Sequence, residues 1–137
     1  MHYTKTMIRT TPGRNLLEIT DEIQEIVAGF GLESGLCNIF IHHTSASLII
    51  CENADSSVLI DAENFMARLV RDGDPTFEHC YEGPDDMAAH IRCLLTSSSI
   101  SIPVVDGRLA LGTWQGIFLW EHRTSPHRRK LTISLVG

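Results

Sequence analysis

The fold of this chain is decided by two apolar segments, joined by a short polar stretch, in the sequence LCNIFIHHTSASLIICE at residues 36–52. In the first segment Cys37, Ile39 and Ile41 alternate with more polar or outward positions, which is the period-two pattern of a β-strand. Residues 47–52 repeat the signal and predict a second strand. His42 and His43 lie at the end of the first strand, and we expect them to point to opposite faces.

Working outward from this stretch, the same patterns predict strands over residues 3–10, 14–19, 99–105, 108–122 (broken near Gly112) and 130–136. Helices are predicted after a possible Thr20 N-cap, over residues 55–70, and from Pro84 to about residue 95. The strands do not alternate regularly with helices, so we expect an α+β fold with a largely antiparallel sheet. The second helix is predicted to have one apolar stripe made of Val58, Ala62, Phe65 and Leu69, widened by Leu59, Met66 and Val70.

Length and composition narrow the classes of protein that this chain can be. Its 137 residues suit one domain spanning 1–137, and its formal net charge is −6. That acidity argues against a general nucleic-acid binder, because phosphate contacts depend mainly on lysine and arginine. No apolar run reaches membrane-spanning length and the first residues have no apolar signal segment, so we expect a cytoplasmic protein without a membrane partner.

The charge is distributed unevenly along the chain. Ten of the 17 acidic residues lie between Glu52 and Asp86, and that segment carries −8. The segment from Gly107 to the end carries +4. Two explanations remain open: two solvated faces, or a cleft with opposed acidic and basic walls that would suit a phosphorylated substrate with a divalent metal.

The four cysteines have no CxxC spacing, so neither a zinc ribbon nor a thioredoxin-type redox site is indicated. Cys37, Cys51 and Cys93 lie in apolar patterns and are predicted to be buried thiols. Cys80 directly follows His79, but nothing near it indicates an activated thiolate.

Several polar residues interrupt the apolar patterns and are candidates for chemistry. Asp86 and His90 are four residues apart on one predicted helix, so a carboxylate can orient an imidazole there, although a surface ion pair has the same spacing. Adding His79 and His43 would give enough nitrogen ligands for a zinc-type site. Glu52 shares a strand face with apolar residues, and either Asn53 or Asp55 is expected to cap the following helix.

The glycine-rich stretch at residues 107–116 has the spacing of a phosphate loop. The lysine of that motif is replaced by Thr113 and no helix follows, so we reject that interpretation. Gly112 and Gly116 are instead expected to allow a turn and a close approach of the backbone. The basic residues near Arg123 either hold an anionic group or belong to a solvated hairpin.

Taken together, these motifs resemble the YjbQ family, often called secondary thiamine-phosphate synthase. The resemblance covers nearly the whole chain and is carried by the segments HTSASL (43–48), ENAD (52–55), RLV (68–70), His79, YEG (81–83), DDM (85–87), AHI (89–91), Ile102-Pro103, GRL (107–109), LGTWQG (111–116) and EHR (121–123). One departure is Cys80, where the family pattern leads us to expect threonine.

The resemblance implies a compact α+β homotrimer with a pocket rich in histidine and carboxylate near the subunit contacts. It also implies an enzyme that joins a pyrimidine diphosphate to a thiazole phosphate and releases pyrophosphate, in some members as a secondary activity. On this reading the metal or phosphate ligands are His43, His79 and His90, with a divalent ion, Zn²⁺ or Mg²⁺. The catalytic set is expected to be His43, Glu52, Asp86 and His90, and the substrate-binding set Asn53, Trp114, Gln115, Arg108 and Arg123.

Two alternatives from other classes stay open at this point. The same histidines would serve a metal-binding or small-ligand-binding protein without turnover. They would also serve a metal-assisted phosphate-ester hydrolase, in which bound water is the nucleophile.

Overall fold

A computed structural model describes residues 1–137, which form eight strands and three helices. In chain order the elements are β1 (His2–Thr11), β2 (Asn15–Glu18), α1 (Thr20–Phe30), β3 (Ser34–Ile41), β4 (Ala46–Glu52), α2 (Ser56–Leu69), α3 (Asp86–Leu95), β5 (Ser99–Val105), β6 (Arg108–Leu109), β7 (Gln115–Glu121) and β8 (His127–Val136). None of the three helices has the length and apolar character needed to cross a membrane.

The strands form two antiparallel sheets. A five-stranded sheet has the order β1-β8-β3-β5-β6, and a three-stranded sheet has the order β2-β7-β4. Every pairing between neighbouring strands is antiparallel. The predicted α+β class, with antiparallel sheets and three helices, is therefore confirmed.

The stretch at residues 36–52 connects the two sheets. Cys37, Ile39 and Ile41 are buried as the alternation predicts, whereas Leu36 and Phe40 on the other face of β3 are exposed. Strand β3 belongs to the five-stranded sheet and β4 to the three-stranded one, so the polar residues between them carry the chain from sheet to sheet.

The main hydrophobic core lies between the two sheets and α1. It contains 17 buried residues, contributed mainly by the inner faces of β3, β8, β4 and β7 and by Ile23 and Val27 of α1. A smaller core covers the other face of the three-stranded sheet, where Phe118 and Trp120 contact Met66 of α2 and Ala88 of α3. Strand β7 is therefore buried on both faces, and this makes its end a well-fixed support for a functional site.

Helix α2 buries only one side of its wide predicted apolar stripe. Met66 and Val70, which widen the stripe, face the smaller core, whereas Phe65 is 58% exposed and Leu69 is 59% exposed. The prediction was wrong for Phe65 and Leu69 because the apolar stripe is wider than the surface of the sheet that covers it, and the contacts with β7 decide which side is buried. Asp55 caps the helix, as one of the two alternatives predicts, by accepting a hydrogen bond from the Ser57 amide at 2.9 Å.

The starts of the other two helices also differ from the predictions. Thr20 is the first residue of α1 rather than its cap, and its hydroxyl instead accepts a hydrogen bond from the Ile117 amide of β7 at 2.9 Å. Helix α3 begins at Asp86, two residues after the predicted Pro84. Pro84 and Asp85 form a turn that leaves the Asp85 carboxylate free to bind elsewhere.

The predicted strand over 108–122 is two strands in different sheets. Strand β6 follows β5 through the turn at Asp106 and Gly107, and β7 begins only at Gln115. The intervening loop is closed by the Gly112 amide, which donates to Gln115 Oε1 at 2.7 Å. A Cβ atom at Gly116 would lie 2.7 Å from Glu18 Oε2, so the predicted close approach at this glycine is confirmed.

Candidate metal centre

Three segments of the chain meet at one end of the three-stranded sheet. Ala46 at the start of β4 pairs with Glu121 at the end of β7, so the residues before β4 and after β7 emerge side by side. The start of α3 lies against the same end, where His90 Nδ1 is 3.0 Å from the carbonyl oxygen of Thr44. These contacts bring residues that are far apart in sequence to a single place.

Four side chains from the approach to α3 and from its first turns converge here. The Nε2 atoms of His79 and His90 lie 2.7 Å and 3.1 Å from the same atom, Oδ2 of Asp86. With Glu82 they form a group in which one candidate ligand atom from each residue lies within 4.8 Å of all the others. The predicted convergence is thus present for His79, Asp86 and His90.

One side of this group is buried in the protein and the other is open to solvent. The Asp86 side chain is 3% exposed, whereas that of His79 is 45% exposed. The carboxylate is buried and the imidazoles beside it are partly exposed, so an ion from solvent could reach the group without unfolding of the chain.

Both ring nitrogens of His90 face hydrogen-bond acceptors. The Thr44 carbonyl accepts only, so Nδ1 carries the proton that is donated to it. Nε2 then faces the Asp86 carboxylate, another pure acceptor, across 3.1 Å. With the proton on Nδ1, the lone pair of Nε2 points at the carboxylate, which is an arrangement in which a metal ion could bind both Nε2 and Oδ2.

Arg123, which follows β7, holds both aspartates at the start of α3. Its Nε donates to Asp85 Oδ2 at 2.9 Å and its Nη1 donates to Asp86 Oδ1 at 2.8 Å. Its Nη2 donates to the Glu82 carbonyl. Three of the five N–H donors of this guanidinium are therefore committed to the support of the cluster. The substrate-binding role expected for Arg123 stays a prediction.

The pKa of each of the two aspartates lies below its ordinary value. Burial raises the pKa of Asp85, but hydrogen bonds from Arg123 and Thr124 outweigh it and bring the value to about 2. For Asp86, burial again raises the pKa, while hydrogen bonds with His79 and Glu82 and the proximity of His90 and Arg123 lower it below its usual range. The acidic and basic segments of the sequence thus do meet, but through direct ion pairs.

His43 does not join this cluster, although the sequence analysis placed it among the metal ligands. Its Nε2 accepts a hydrogen bond from the Lys130 amide at 2.8 Å, and its Nδ1 lies 3.3 Å from Nη1 of Arg129. Burial, together with the positive charge of Arg129, lowers the pKa of His43. Nε2 is therefore hydrogen-bonded to β8, and Nδ1 lies in contact with the same strand.

His43 and His90 nevertheless share a cavity. It has a volume of about 330 Å³ and is lined by His43, Thr44, His90, Cys93, Leu94 and Ser98. A second cavity, of about 460 Å³, includes His79, Cys80 and Met87 in its lining. Each of the two imidazoles of the cluster therefore borders a cavity with space for a small molecule.

The predicted residues Glu52, Asn53, Trp114 and Gln115 form a separate group at the opposite end of the same sheet. Glu52 pairs with Gln115 at the far end of β4 and β7, about 20 Å from Ala46 at ~3.3 Å per residue. Asn53 donates to Glu18 Oε2 at 3.2 Å, and Glu52 accepts from the Asp55 amide. Within one chain these residues cannot contact a ligand bound between His79 and His90.

Arg108 lies apart from both groups. It is exposed in the short strand β6, at the edge of the five-stranded sheet, where it pairs with Val105. The structure therefore gives no common site to the residues that the sequence analysis assigned to substrate binding.

Sequence reasoning missed several residues that shape this end of the sheet. Asp85 and Glu82 entered the sequence analysis only as parts of the motifs DDM and YEG. Glu82, Asp86 and His90 are spaced four residues apart, and this spacing is a signal in the sequence that could have identified Glu82. No signal in the sequence pairs Arg129 of β8 with Glu121 of β7, because that contact exists only in the folded chain.

His122 is buried completely next to this site but faces away from it. Its Nε2 lies 2.8 Å from the Ser47 hydroxyl. Burial and the nearby charges of Arg92, Arg14 and Arg129 lower the pKa of His122 to about 3. It is a neutral core histidine at neutral pH.

With this geometry in place, comparison with known proteins identifies the family. The family model described as UPF0047 protein YjbQ-like matches residues 4–137. The chain is 50% identical over 131 residues to the UPF0047 protein sll1880 of Synechocystis sp., which covers 96% of this chain and 89% of that protein. It is 42% identical over 138 residues to the UPF0047 protein YjbQ of Salmonella typhimurium, covering 100% of this chain and 99% of that protein.

Solved structures agree. The conserved hypothetical protein TT1486 from Thermus thermophilus superposes with a TM-score of 0.86 at 30% identity, over 96% of this chain and 99% of that one. An uncharacterised YjbQ/UPF0047 protein from Clostridium acetobutylicum gives 0.83 at 29% identity, over 99% of both chains. The chain is a small α+β protein with a histidine–carboxylate cluster, and it belongs to the YjbQ/UPF0047 family.

Proposed function

We propose that this protein is a zinc-dependent enzyme that acts on a phosphorylated heterocycle, with the metal held by His79, Asp86 and His90. The observation that carries the proposal is the pair of contacts made by His90, whose Nδ1 donates to a carbonyl while its Nε2 faces a carboxylate. A metal ion would bind both Nε2 and the carboxylate, and the backbone carbonyl, which accepts from Nδ1, would be the outer partner typical of a metal-bound histidine.

The donor set favours zinc over magnesium. Two imidazole nitrogens and a carboxylate oxygen are characteristic of Zn²⁺ sites with an open fourth position. Magnesium prefers oxygen ligands and retains several waters. Glu82, whose side chain is 65% exposed, is free to approach or leave as a further ligand.

The chemistry we propose is the coupling that the family resemblance implies. The thiazole nitrogen attacks the methylene carbon of the pyrimidine diphosphate, the carbon–oxygen bond breaks, and pyrophosphate leaves with the bonding electrons. Bound Zn²⁺ would supply a positive charge that neutralises the leaving group. The chain itself would hold the ion through Asp86, fix that carboxylate with Arg123, and align the partners in the cavities flanking His79 and His90.

The direct test is turnover by the purified, zinc-loaded protein supplied with hydroxymethylpyrimidine diphosphate and thiazole phosphate. We expect thiamine phosphate and pyrophosphate to form in equal amounts, and we expect His90→Ala to abolish the reaction. His2→Ala, which changes an exposed histidine of β1, is the matched control and should keep full activity. A negligible rate in wild type, or a rate unchanged in His90→Ala, would refute the synthase proposal.

A second candidate is hydrolysis of a phosphate ester by a zinc-bound water. It is favoured by the exposure of His79 and Glu82, which leaves one side of the cluster open to solvent. A panel of phosphate esters, assayed with the same variants, distinguishes the two reactions. A persistent metal with no turnover in either assay would instead favour a binding protein.

We further propose that the protein works as a homotrimer. Glu52 and Trp114 lie about 20 Å along the strands from the His90 end, so both groups reach one ligand only if a second copy supplies one of them. Exposed apolar side chains on the helices, among them Phe65, Leu69 and Leu94, are available to such contacts. Light scattering of the purified protein should give three times the mass of the chain, and the mass of a single chain would contradict this.

We also assign the protein to the cytoplasm. All four cysteines are free thiols, as is usual in a reducing compartment. Fractionation of cells that express it should place it in the cytosolic fraction.

A further inference from the structure

Glu121, the last residue of β7, carries a fully buried carboxylate that the proposed chemistry does not use. It accepts hydrogen bonds from the Thr11 hydroxyl at 2.6 Å, from Nε of Arg129 at 2.7 Å, and from the Arg123 amide at 3.0 Å. Nη2 of Arg129 is a further donor. Although burial raises the pKa of Glu121, the bonds from Arg129 and Thr11 lower it, so the group is a charged junction inside the protein.

One branch from this junction leads to the metal cluster. Oε2 of Glu121 fixes the backbone amide of Arg123, and the guanidinium of Arg123 extends from that point to Oδ1 of Asp86. The other oxygen of Asp86 is the atom that faces His79 and His90. The position of the shared carboxylate therefore depends on where the chain turns after β7.

The other branch leads to His43. Nε and Nη2 of Arg129 bind the Glu121 carboxylate, and the third nitrogen, Nη1, lies 3.3 Å from Nδ1 of His43. The Arg129 side chain is 4% exposed, so water cannot replace the protein groups that bind its guanidinium. The two bonds to Glu121, together with a bond from Nη2 to the Ser45 carbonyl at 3.3 Å, orient the guanidinium that contacts His43.

We infer that Glu121 is a positioning residue that holds the His79–Asp86–His90 cluster and His43 in a fixed relation across the cavity they border. The inference rests on the proposed function only in taking the cluster as the metal site. Replacing the carboxylate by a neutral group leaves a buried guanidinium without its counter-charge, so Arg129 must move, and the Arg123 turn loses its anchor. Both sides of the cavity then shift together, although neither contacts Glu121 directly.

The test compares Glu121→Gln with Thr11→Val, which removes a hydrogen bond from the same carboxylate but belongs to neither branch. In metal-free protein we expect the ring nitrogen resonances of both His43 and His90 to shift in Glu121→Gln and to stay in place in Thr11→Val. We also expect Zn²⁺, titrated against a chelator, to bind about tenfold more weakly to Glu121→Gln, as for other outer-shell changes.

Three outcomes would overturn the inference. They are a folded Glu121→Gln variant with wild-type resonances, a shift at one histidine only, and equal shifts in Thr11→Val. If Glu121→Gln does not fold, Glu121→Asp takes its place, because the shorter carboxylate keeps the charge but cannot reach both branches. Unmoved resonances at both histidines in that variant would equally contradict the inference. A wild-type protein that binds no Zn²⁺ would refute the proposed function, but the resonances would still decide the role of Glu121.

Discussion

Nε2 of His90 faces Oδ2 of Asp86 at 3.1 Å, while Nδ1 of the same ring faces the carbonyl of Thr44 at 3.0 Å. Both neighbours of the imidazole are hydrogen-bond acceptors. The ring is therefore prepared to hold a cation in a way that an ordinary surface ion pair is not, because the backbone carbonyl fixes its orientation before any ion arrives.

Arg123→Met should destabilise the protein by about 2–4 kcal/mol, since it leaves two largely buried carboxylates without their partner. The guanidinium is bound to Asp85 and Asp86, and its side chain is 17% exposed. Urea denaturation measures the change. Arg128→Met, at an exposed neighbouring position, is the control and should have little effect. Equal stabilities of the two variants would show that the ion pairs of Arg123 with Asp85 and Asp86 contribute nothing to the free energy of unfolding.

His122 makes stability depend on pH in a defined window. Its pKa is about 3 in the folded protein, against 6.5 for an unperturbed histidine. The unfolded chain binds a proton between these values and the folded chain does not, so stability falls as pH decreases from about 6.5 toward 3. The loss from this residue is about 1.4 kcal/mol per pH unit.

Denaturation of metal-free wild type and His122→Gln at several pH values between 6 and 4 isolates this contribution. The variant should be less stable at neutral pH but should show the shallower slope. Parallel slopes would mean that His122 accepts a proton in the folded state.

The cysteines should react in an order set by exposure. Cys80 is exposed, whereas burial raises the pKa of Cys37 to about 11 and that of Cys93 to about 12. A thiol reagent at pH 8 should therefore modify Cys80 first and reach Cys37 and Cys93 only on unfolding, because the thiolate is the reactive form. Mass spectrometry of partly labelled protein identifies the sites. Early labelling of Cys93 would indicate that the cavity beside His90 is far more open than described.

Much of this fold follows from local patterns in the sequence. The alternation of Cys37, Ile39 and Ile41 predicts β3 and its buried face, because successive side chains of a strand point to opposite faces of the sheet. The four-residue spacing of Asp86 and His90 likewise predicts their contact, because it is a property of one helix. Where a single element determines the geometry, sequence reasoning succeeds.

It fails where a partner element decides. The apolar stripe on α2 is wide, and contact with β7 buries Met66 while it leaves Phe65 exposed. His43 has the same residue type and strand-end position that a ligand would have, but Arg129 and Lys130 of β8 engage its ring. Both contacts join residues more than 40 positions apart, so no local spacing encodes them.

Variants of His43 and His90 should distinguish the residues that bind metal from those with other roles. His90→Ala removes a ligand and should abolish both zinc binding and turnover, whereas His43→Ala should retain zinc because His43 lies outside the converging group. Measuring metal content and kcat/KM on the same samples makes the comparison. Loss of zinc in His43→Ala would indicate that His43 is a metal ligand after all.

The most direct measurement is anomalous diffraction at the zinc absorption edge from crystals of the wild-type protein grown with Zn²⁺. The account predicts one peak per chain, with Nε2 of His79, Nε2 of His90 and a carboxylate oxygen of Asp86 each about 2.0–2.2 Å away. Crystals of Asp86→Asn should lack the peak. A wild-type map without density between these three atoms, or with zinc bound at another group of residues, would contradict the central claim.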